Sequence, residues 1–391
     1  VIEKKTNEIA TELTHAGSSA ALLRARTVSP PLQRGSTLLL PNAAALYDDE
    51  KHPTYGMNSL AIHEALVDGL RGLEHADHVE LFTSGLAAVT GAIQAVVGAG
   101  DEVLAVDSVY GPTRRFCDKV LKRFGVSVRY FPADAAPDAV LGLAGPTTRL
   151  IFLESPGSLT FEMQDIPAIT TLARARGILT AVDNTWASGL LFRPLEHGVS
   201  LSIQALTKYV CGHSDVFMGS VATSDPAVAE ALTAFVRDTG ASVSPDDAFQ
   251  ALRGLRTLEL RLKRHGESGL QVARWLAEQP QVARVMHPAL PGDPGHALWR
   301  RDFTGAAGLF GAVLKPAPKA EVHALFDRLT LFGLGFSWGG YESLAIPCDP
   351  QIKRTASPWR EKGPLIRLNI GLEDPADLIE DLRQALAAYP V

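Results

Sequence analysis

The sequence predicts an α/β protein, with a large, mostly parallel sheet followed by a smaller α+β domain. Three observations carry this. Residues 59–254 alternate short apolar runs with helical segments, the pattern of right-handed crossovers around a sheet covered on both faces. A long amphipathic segment then starts at Leu255 and stops at Pro280, with further strand and helix patterns beyond it. The chain of 391 residues is 46% hydrophobic and 20% charged, a balance that suits packed domains rather than extended disorder.

Taken in order, residues 1–58 lack sustained periodicity and contain Pro30-Pro31 and the polar run Asp48-Asp49-Glu50-Lys51, so they read as an extended arm that short helices can interrupt. Ile62, Leu66, Leu70 and Leu73 form one helical face. The apolar window Leu86 to Gly100 holds Thr90, Gln94 and glycines and reads as a buried helix rather than a membrane span. Glu102–Val106, Val126–Phe131, Leu150–Leu153, Leu179–Val182 and Ser202–Ala205 read as buried strands, with helices near 112–124, 165–176 and 226–237. Residues 59–254 form the large α/β domain on this reading, and residues 255–391 the smaller one. The latter has strands at Gly308–Leu314 and Leu365–Ile370, a helix near 319–329, and a last helix with Asp374 as N-cap and Pro375 at its first position.

Charge and cysteine content narrow the function classes. Lys and Arg number 37 against 43 Asp and Glu, a net charge of −6, which gives no support for a nucleic-acid or membrane surface. Cys117, Cys211 and Cys348 are widely spaced and form no CxxC pair, so a disulfide scaffold or a cysteine metal site is not expected. With no apolar secretory core after Val1-Ile2-Glu3-Lys4-Lys5, the expectation is a cytoplasmic protein. Several short motifs fail. His63-Glu64-Ala65-Leu66-Val67 lacks the second histidine of HExxH, and Gly212-His213-Ser214-Asp215-Val216 is not GxSxG. Gly333-Leu334-Gly335 opens no long helix and reads as a turn. His75 and His78 have no third metal ligand, so no metal site is expected.

Four signals survive. Small residues before the apolar helix, Thr83-Ser84-Gly85-Leu86, offer free backbone N–H groups to an anion, although Ser84 alone is an ordinary N-cap. Asp183 follows an apolar run and falls at the carboxyl end of a parallel strand, where ligands bind in such sheets. Lys208, in Leu206-Thr207-Lys208-Tyr209, also follows a strand, and a desolvated lysine there can form a Schiff base. Tyr110, after the strand ending at Val106, can stack on a ring. A phosphate cradle, a carboxylate, a lysine and an aromatic are the parts that pyridoxal phosphate requires.

The longer blocks Glu154-Ser155-Pro156-Gly157-Ser158, Val182-Asp183-Asn184-Thr185-Trp186-Ala187, Thr207-Lys208-Tyr209-Val210-Cys211-Gly212-His213-Ser214-Asp215 and Phe336-Ser337-Trp338-Gly339-Gly340-Tyr341-Glu342-Ser343 resemble the Cys/Met-metabolism pyridoxal-phosphate family. Ser158 and Trp338 are similar to its bacterial β-lyase branch. The resemblance implies fold type I of the pyridoxal-phosphate enzymes, the aspartate-aminotransferase-like fold. It implies that Lys208 binds the cofactor aldehyde, Asp183 pairs with the pyridine nitrogen, Tyr110 stacks on the ring, and Gly85, Leu86 and Thr207 hold the phosphate. Arg367 matches the arginine for the substrate α-carboxylate, with Ser337 and Trp338 beside it. The implied activity is cleavage of L-cystathionine to homocysteine, pyruvate and ammonia. The alternatives are γ-elimination, γ-replacement, lysis of another cysteine conjugate, or a non-catalytic relative that binds cofactor weakly. The family arm carries Tyr-x-Arg, which contacts the phosphate of a neighbouring subunit. Here the stretch is Tyr55-Gly56-Met57, so the arginine is missing. A homotetramer built as a dimer of dimers is the implied assembly.

Overall fold

A computed structural model describes residues 8–16, 27–47, 53–57 and 59–390. Its larger sheet has seven strands, β1 (His78–Phe82), β2 (Glu102–Val106), β3 (Ser127–Phe131), β4 (Thr148–Glu154), β5 (Leu179–Asp183), β6 (Leu201–Gln204) and β7 (Gly219–Thr223), in the order β1-β7-β6-β5-β4-β2-β3. Strands β6, β5, β4, β2 and β3 are parallel, and β7 runs antiparallel to both of its neighbours. Leu104, Val106, Ile151, Phe152, Val182 and Ile203 are sealed from solvent, as expected of strands covered on both faces. After β3 the chain returns to the other side of β2, so the strand order reverses between β2 and β4. The carboxyl ends on the two sides of that point form the crevice where such sheets bind ligands.

The smaller sheet is wholly antiparallel, with β8 (Val282–Met286), β9 (Leu309–Leu314), β10 (Leu344–Pro347) and β11 (Leu365–Asn369) in the order β10-β11-β9-β8. It has its own core, in which Phe310, Leu314, Ile366 and Leu368 pack with Leu378, Leu382, Leu386 and Tyr389 of the C-terminal segment. That helix, Pro375–Leu386, starts where the sequence places it, and Asp374 accepts the Ala376 N–H at 2.9 Å.

The described elements add to the sequence expectation in two ways. β1 and β7 extend the large sheet beyond the five strands legible as apolar runs. Near the chain start, helix α1 (Ile9–Thr14) packs onto helix α2 (Ala61–Glu74) and the helix Leu258–Ala277, with Leu13 only 2% exposed, so this part of the 1–58 segment folds onto its own chain. Much of the remaining described arm is exposed, and Asp48-Asp49-Glu50-Lys51 lies outside the described residues. All three cysteines are free and buried. Among the described residues no helix is long and apolar enough to cross a membrane.

Candidate active site

A cavity of about 290 Å³ opens at the carboxyl ends of the large sheet and reaches across to residues of the smaller sheet. Its walls include Ser84, Gly85, Leu86, Tyr110, Asp183, Thr207, Lys208, Trp338 and Arg367, so residues spread over more than 280 positions of sequence meet in one place.

One end of the cavity is the start of helix α3 (Gly85–Val96). Ser84 caps it, accepting the Ala87 N–H at 3.1 Å, while the N–H groups of Gly85 and Leu86 have no acceptor among the described residues. Position 85 must be glycine: a Cβ there would run into Ala205, just beyond β6. Two open N–H groups at the positive end of a twelve-residue helix suit a phosphate. Thr207 also lines the cavity, but its hydroxyl donates to the Met218 carbonyl at 3.1 Å and accepts the Met218 N–H at 2.9 Å. Its proton is therefore committed to holding the turn.

Asp183 ends β5 as expected. Its Oδ1 accepts from the backbone and the hydroxyl of Thr185, at 3.1 and 2.6 Å, and that hydroxyl in turn accepts the Ala205 N–H at 2.8 Å. Burial pushes the Asp183 carboxyl above its ordinary range, against the pull of the Thr185 donors and Lys208. Lys208 follows β6, with Nζ donating to Ser337 Oγ at 3.0 Å and standing 5.2 Å from the Trp338 ring. Burial, and secondly the positive charge of Arg367, bring its amine down to about 8. Such an amine is a usable nucleophile and base near neutral pH. The turn that carries it is clasped by buried Arg261, which donates to the carbonyls of Tyr209, Val210 and Gly254 at 2.6, 3.1 and 2.6 Å.

From the smaller sheet, Arg367 of β11 is 7% exposed and donates through Nη2 to the Phe336 and Ser337 carbonyls at 2.8 and 3.0 Å. Its Nε and Nη1 have no acceptor among the described residues, which leaves donors for a carboxylate. Tyr110 precedes helix α4 (Gly111–Lys119), and the residue is 46% exposed. Burial, with Asp183 and Glu154 adding to it, pushes the Tyr110 phenol up, so it keeps its proton. These residues fit pyridoxal phosphate: an open helix start for phosphate, a carboxylate at a strand end, and a desolvated amine between them.

The profile of the Cys/Met metabolism PLP-dependent enzyme family matches residues 10–387. The chain belongs to that family. It is 46% identical over 384 residues to a putative cystathionine beta-lyase of Rhizobium johnstonii, covering 97% of this chain and 96% of that protein. It is 42% identical to the cystathionine beta-lyase MetC of Escherichia coli K12, over 96% of this chain and 98% of that one. A third relative, 36% identical over 93% of both chains, is the L-alanine/L-glutamate racemase of Wolbachia pipientis wMel. The crystal structure of metB from Corynebacterium glutamicum superposes with a TM-score of 0.89 at 27% identity and covers 98% of each chain. The fold is thus that of this pyridoxal-phosphate family, with the mostly parallel sheet the sequence predicts.

Tyr55 does not join the cavity within its own chain. It is 47% exposed and bridges to Thr37. Met57 is exposed as well. Glu154, by contrast, is a cavity residue to which sequence reasoning assigns no task. The signal that could have found it is its place at the end of an apolar run, the same signal that singles out Asp183. Among the described residues no cluster of three or more His, Cys, Asp or Glu could hold a metal.

Proposed function

We propose that the protein is a pyridoxal-phosphate-dependent carbon–sulfur β-lyase that converts L-cystathionine and water to homocysteine, pyruvate and ammonia. What supports the reading above all is that Lys208, Asp183 and Arg367 converge on one cavity beside an open helix start. Pyridoxal phosphate, held by Lys208, Asp183, Tyr110, Gly85 and Leu86 with Thr207 at the side, supplies an electron sink conjugated to the substrate Cα. Arg367 binds the α-carboxylate through Nε and Nη1 and so fixes which substrate bond is broken. Ser337 and Trp338 close the same side, and Ser337 accepts a hydrogen bond from the Lys208 amine when that amine is free. Lys208 takes the Cα proton, while Asp183 keeps a proton on the pyridine nitrogen. Tyr110, which retains its phenolic hydrogen, or protonated Lys208 donates a proton to the sulfur leaving Cβ. Incubation with L-cystathionine should release pyruvate and homocysteine. Cysteine and 2-oxobutyrate without pyruvate would replace this reading with γ-cleavage.

The racemase relative favours one second reading, in which the same Cα proton is removed and returned to the opposite face. L-Alanine has no leaving group at Cβ and separates the two. Conversion to D-alanine as fast as pyruvate forms from cystathionine would make racemisation the main activity.

We further infer a homotetramer made of two dimers, in which the arm residue Tyr55 reaches the phosphate end of a neighbour's cavity. Support comes from the exposed apolar side chains of the arm: Leu39 at 97%, Tyr47 at 91%, Tyr55 and Met57. Met57→Arg should slow cofactor loss, since it returns a charge-assisted bond to phosphate. A protein that sediments as a fully active monomer overturns the shared site.

A further inference from the structure

Tyr110 has an aromatic task in the reading above, yet little in the protein holds its side chain. The residue is 46% exposed, and its hydroxyl has no hydrogen-bond partner among the described residues. Its backbone is the cap of α4, at φ −47° and ψ 132°, and sets the direction in which the side chain leaves the chain. Two anchors fix the cap. Its carbonyl accepts the Arg114 N–H at 3.1 Å, the ordinary first bond of the helix. Its N–H donates at 2.7 Å to Glu154 Oε2, from a strand end 44 residues away.

The neighbouring stretch is held independently. Asp107 accepts N–H bonds from Thr355, Ala356 and Ser357 and pairs with buried Arg114, and the Ser108 carbonyl accepts the Ser158 N–H at 2.9 Å. The chain therefore leaves β2 on a fixed footing. The last adjustable link before α4 is the one that Glu154 closes.

Glu154 also stands in register with Asp183 across the parallel pair β4–β5, so the two carboxyls leave the sheet on the same face into one cavity. A negative charge on Asp183 opposes ionisation of Glu154 beside it. Asp183 has the better claim to the charge, with two donors from Thr185 and the Lys208 amine nearby. Burial and the charge of Asp183 push the Glu154 carboxyl well up, outweighing the Tyr110 N–H and Arg354, which act the other way. A neutral carboxylic acid still accepts the Tyr110 N–H through its carbonyl oxygen.

We propose that Glu154 is a positioning residue, which sets the Tyr110 ring in the cavity by accepting the Tyr110 backbone N–H. The inference rests on the reading of Tyr110 as the residue that stacks on the cofactor. It reaches beyond that reading by naming what holds the ring.

The test uses the holoenzyme and two readouts: the induced circular dichroism of bound pyridoxal phosphate without substrate, and kcat/KM with L-cystathionine. Glu154→Gln keeps an acceptor without a charge, and should leave the dichroism unchanged and kcat/KM within about threefold. Glu154→Leu removes the acceptor at similar volume. It should alter the dichroism and lower kcat/KM by at least about tenfold, and cost less than about twofold more when Tyr110 is already alanine, because the two changes break one linkage. Glu154→Asp, which shortens the reach by one carbon while staying polar, provides the same reading should the leucine variant not fold. Unchanged dichroism in both the leucine and the aspartate variants overturns the proposal. So does a glutamine variant as damaged as the leucine one, or a leucine effect undiminished in the Tyr110→Ala background. Because dichroism is read without substrate, a protein inactive on cystathionine that still shows the expected dichroic changes upholds the placement of Tyr110 and fails the lyase reading alone.

Discussion

The two sides of the cavity are built on different principles. On the large-sheet side, Asp183, Lys208 and the start of α3 sit at the ends of strands whose cores are sealed from solvent, and each is tied to a neighbour: Thr185 to Ala205, Thr207 to Met218, Arg261 to the turn after Lys208. On the small-sheet side the residues before β10 form no long helix or strand, and Leu334, Phe336 and Tyr341 are 63%, 76% and 55% exposed. Two buried side chains of β11 grip this segment: Arg367 donates to the Phe336 and Ser337 carbonyls, and Asn369 accepts the Gly339 N–H at 3.0 Å and donates to the Glu342 carbonyl at 2.9 Å. The charged groups on the large-sheet side of the cavity are thus held at or just beyond strand ends. The exposed apolar side chains on the other side sit on irregular backbone outside any long helix or strand. Electrostatic groups lose most of their effect when misplaced, whereas an apolar wall tolerates repacking.

The sharpest way to break this comparison is Lys208→Ala. It should leave the thermal transition in place and lower pyruvate formation by at least about a thousandfold, because it removes both cofactor attachment and proton transfer. Activity within tenfold of wild type would move the base elsewhere. Asp183→Asn comes next, with cofactor still bound and turnover down by about a hundredfold or more, since the electron sink loses the charge that keeps it protonated. Arg367→Leu should raise KM and cut kcat/KM by about ten- to a hundredfold, the worth of charge-assisted hydrogen bonds. The same variant sharpens the electrostatic side. In cofactor-free enzyme, uptake of pyridoxal phosphate should accelerate with rising pH and level off above about 8 as the Lys208 amine loses its proton. Removing the Arg367 charge should shift that midpoint upward, because Arg367 helps to lower it.

The smallest effect probes the underside of the large sheet, where Glu74 of α2 is 1% exposed, accepts from Ser202 at 3.0 Å and also accepts from Gln204, both on β6. Burial raises its carboxyl to about 6 from an ordinary 4.5. A folded state that holds this proton more tightly than the unfolded chain is favoured at low pH and loses that advantage as pH rises from 4.5 through about 6. Wild type should therefore lose about 2 kcal/mol relative to Glu74→Gln over that range, measured by unfolding at each pH. A flat difference would show that the underside carries no such linkage.

What the sequence makes legible follows from the same physics. Strands β2, β4, β5 and β6 announce themselves because both of their faces need apolar side chains. β7, by contrast, reads Gly-Ser-Val-Ala-Thr: it is fully buried, but α3 lies so close that a Cβ on Gly219 would meet the Ser84 carbonyl, and small residues leave no apolar run to notice. β1 begins with a half-exposed histidine and alternates, and so gives only a short signal. In the site, Asp183 and Lys208 stand out as charges placed after apolar runs, and the family resemblance adds Ser337 and Trp338 from its long blocks and Arg367 by a separate match. Glu154 stays silent although it lies inside one of those blocks, because its partner is a backbone N–H, which every residue has and no sequence displays. The engagement of Thr207 with Met218 is hidden for the same reason.

The clasp of Arg261 has a kinetic consequence. It pins the carbonyls of Tyr209 and Val210 to the Gly254 carbonyl, and a Cβ on Gly212, which turns at a φ of +70°, would collide with that guanidinium. The backbone on the far side of Lys208 therefore cannot swing. The amine travels only by rotation about the four bonds of its own stem, a motion orders of magnitude faster than loop rearrangement.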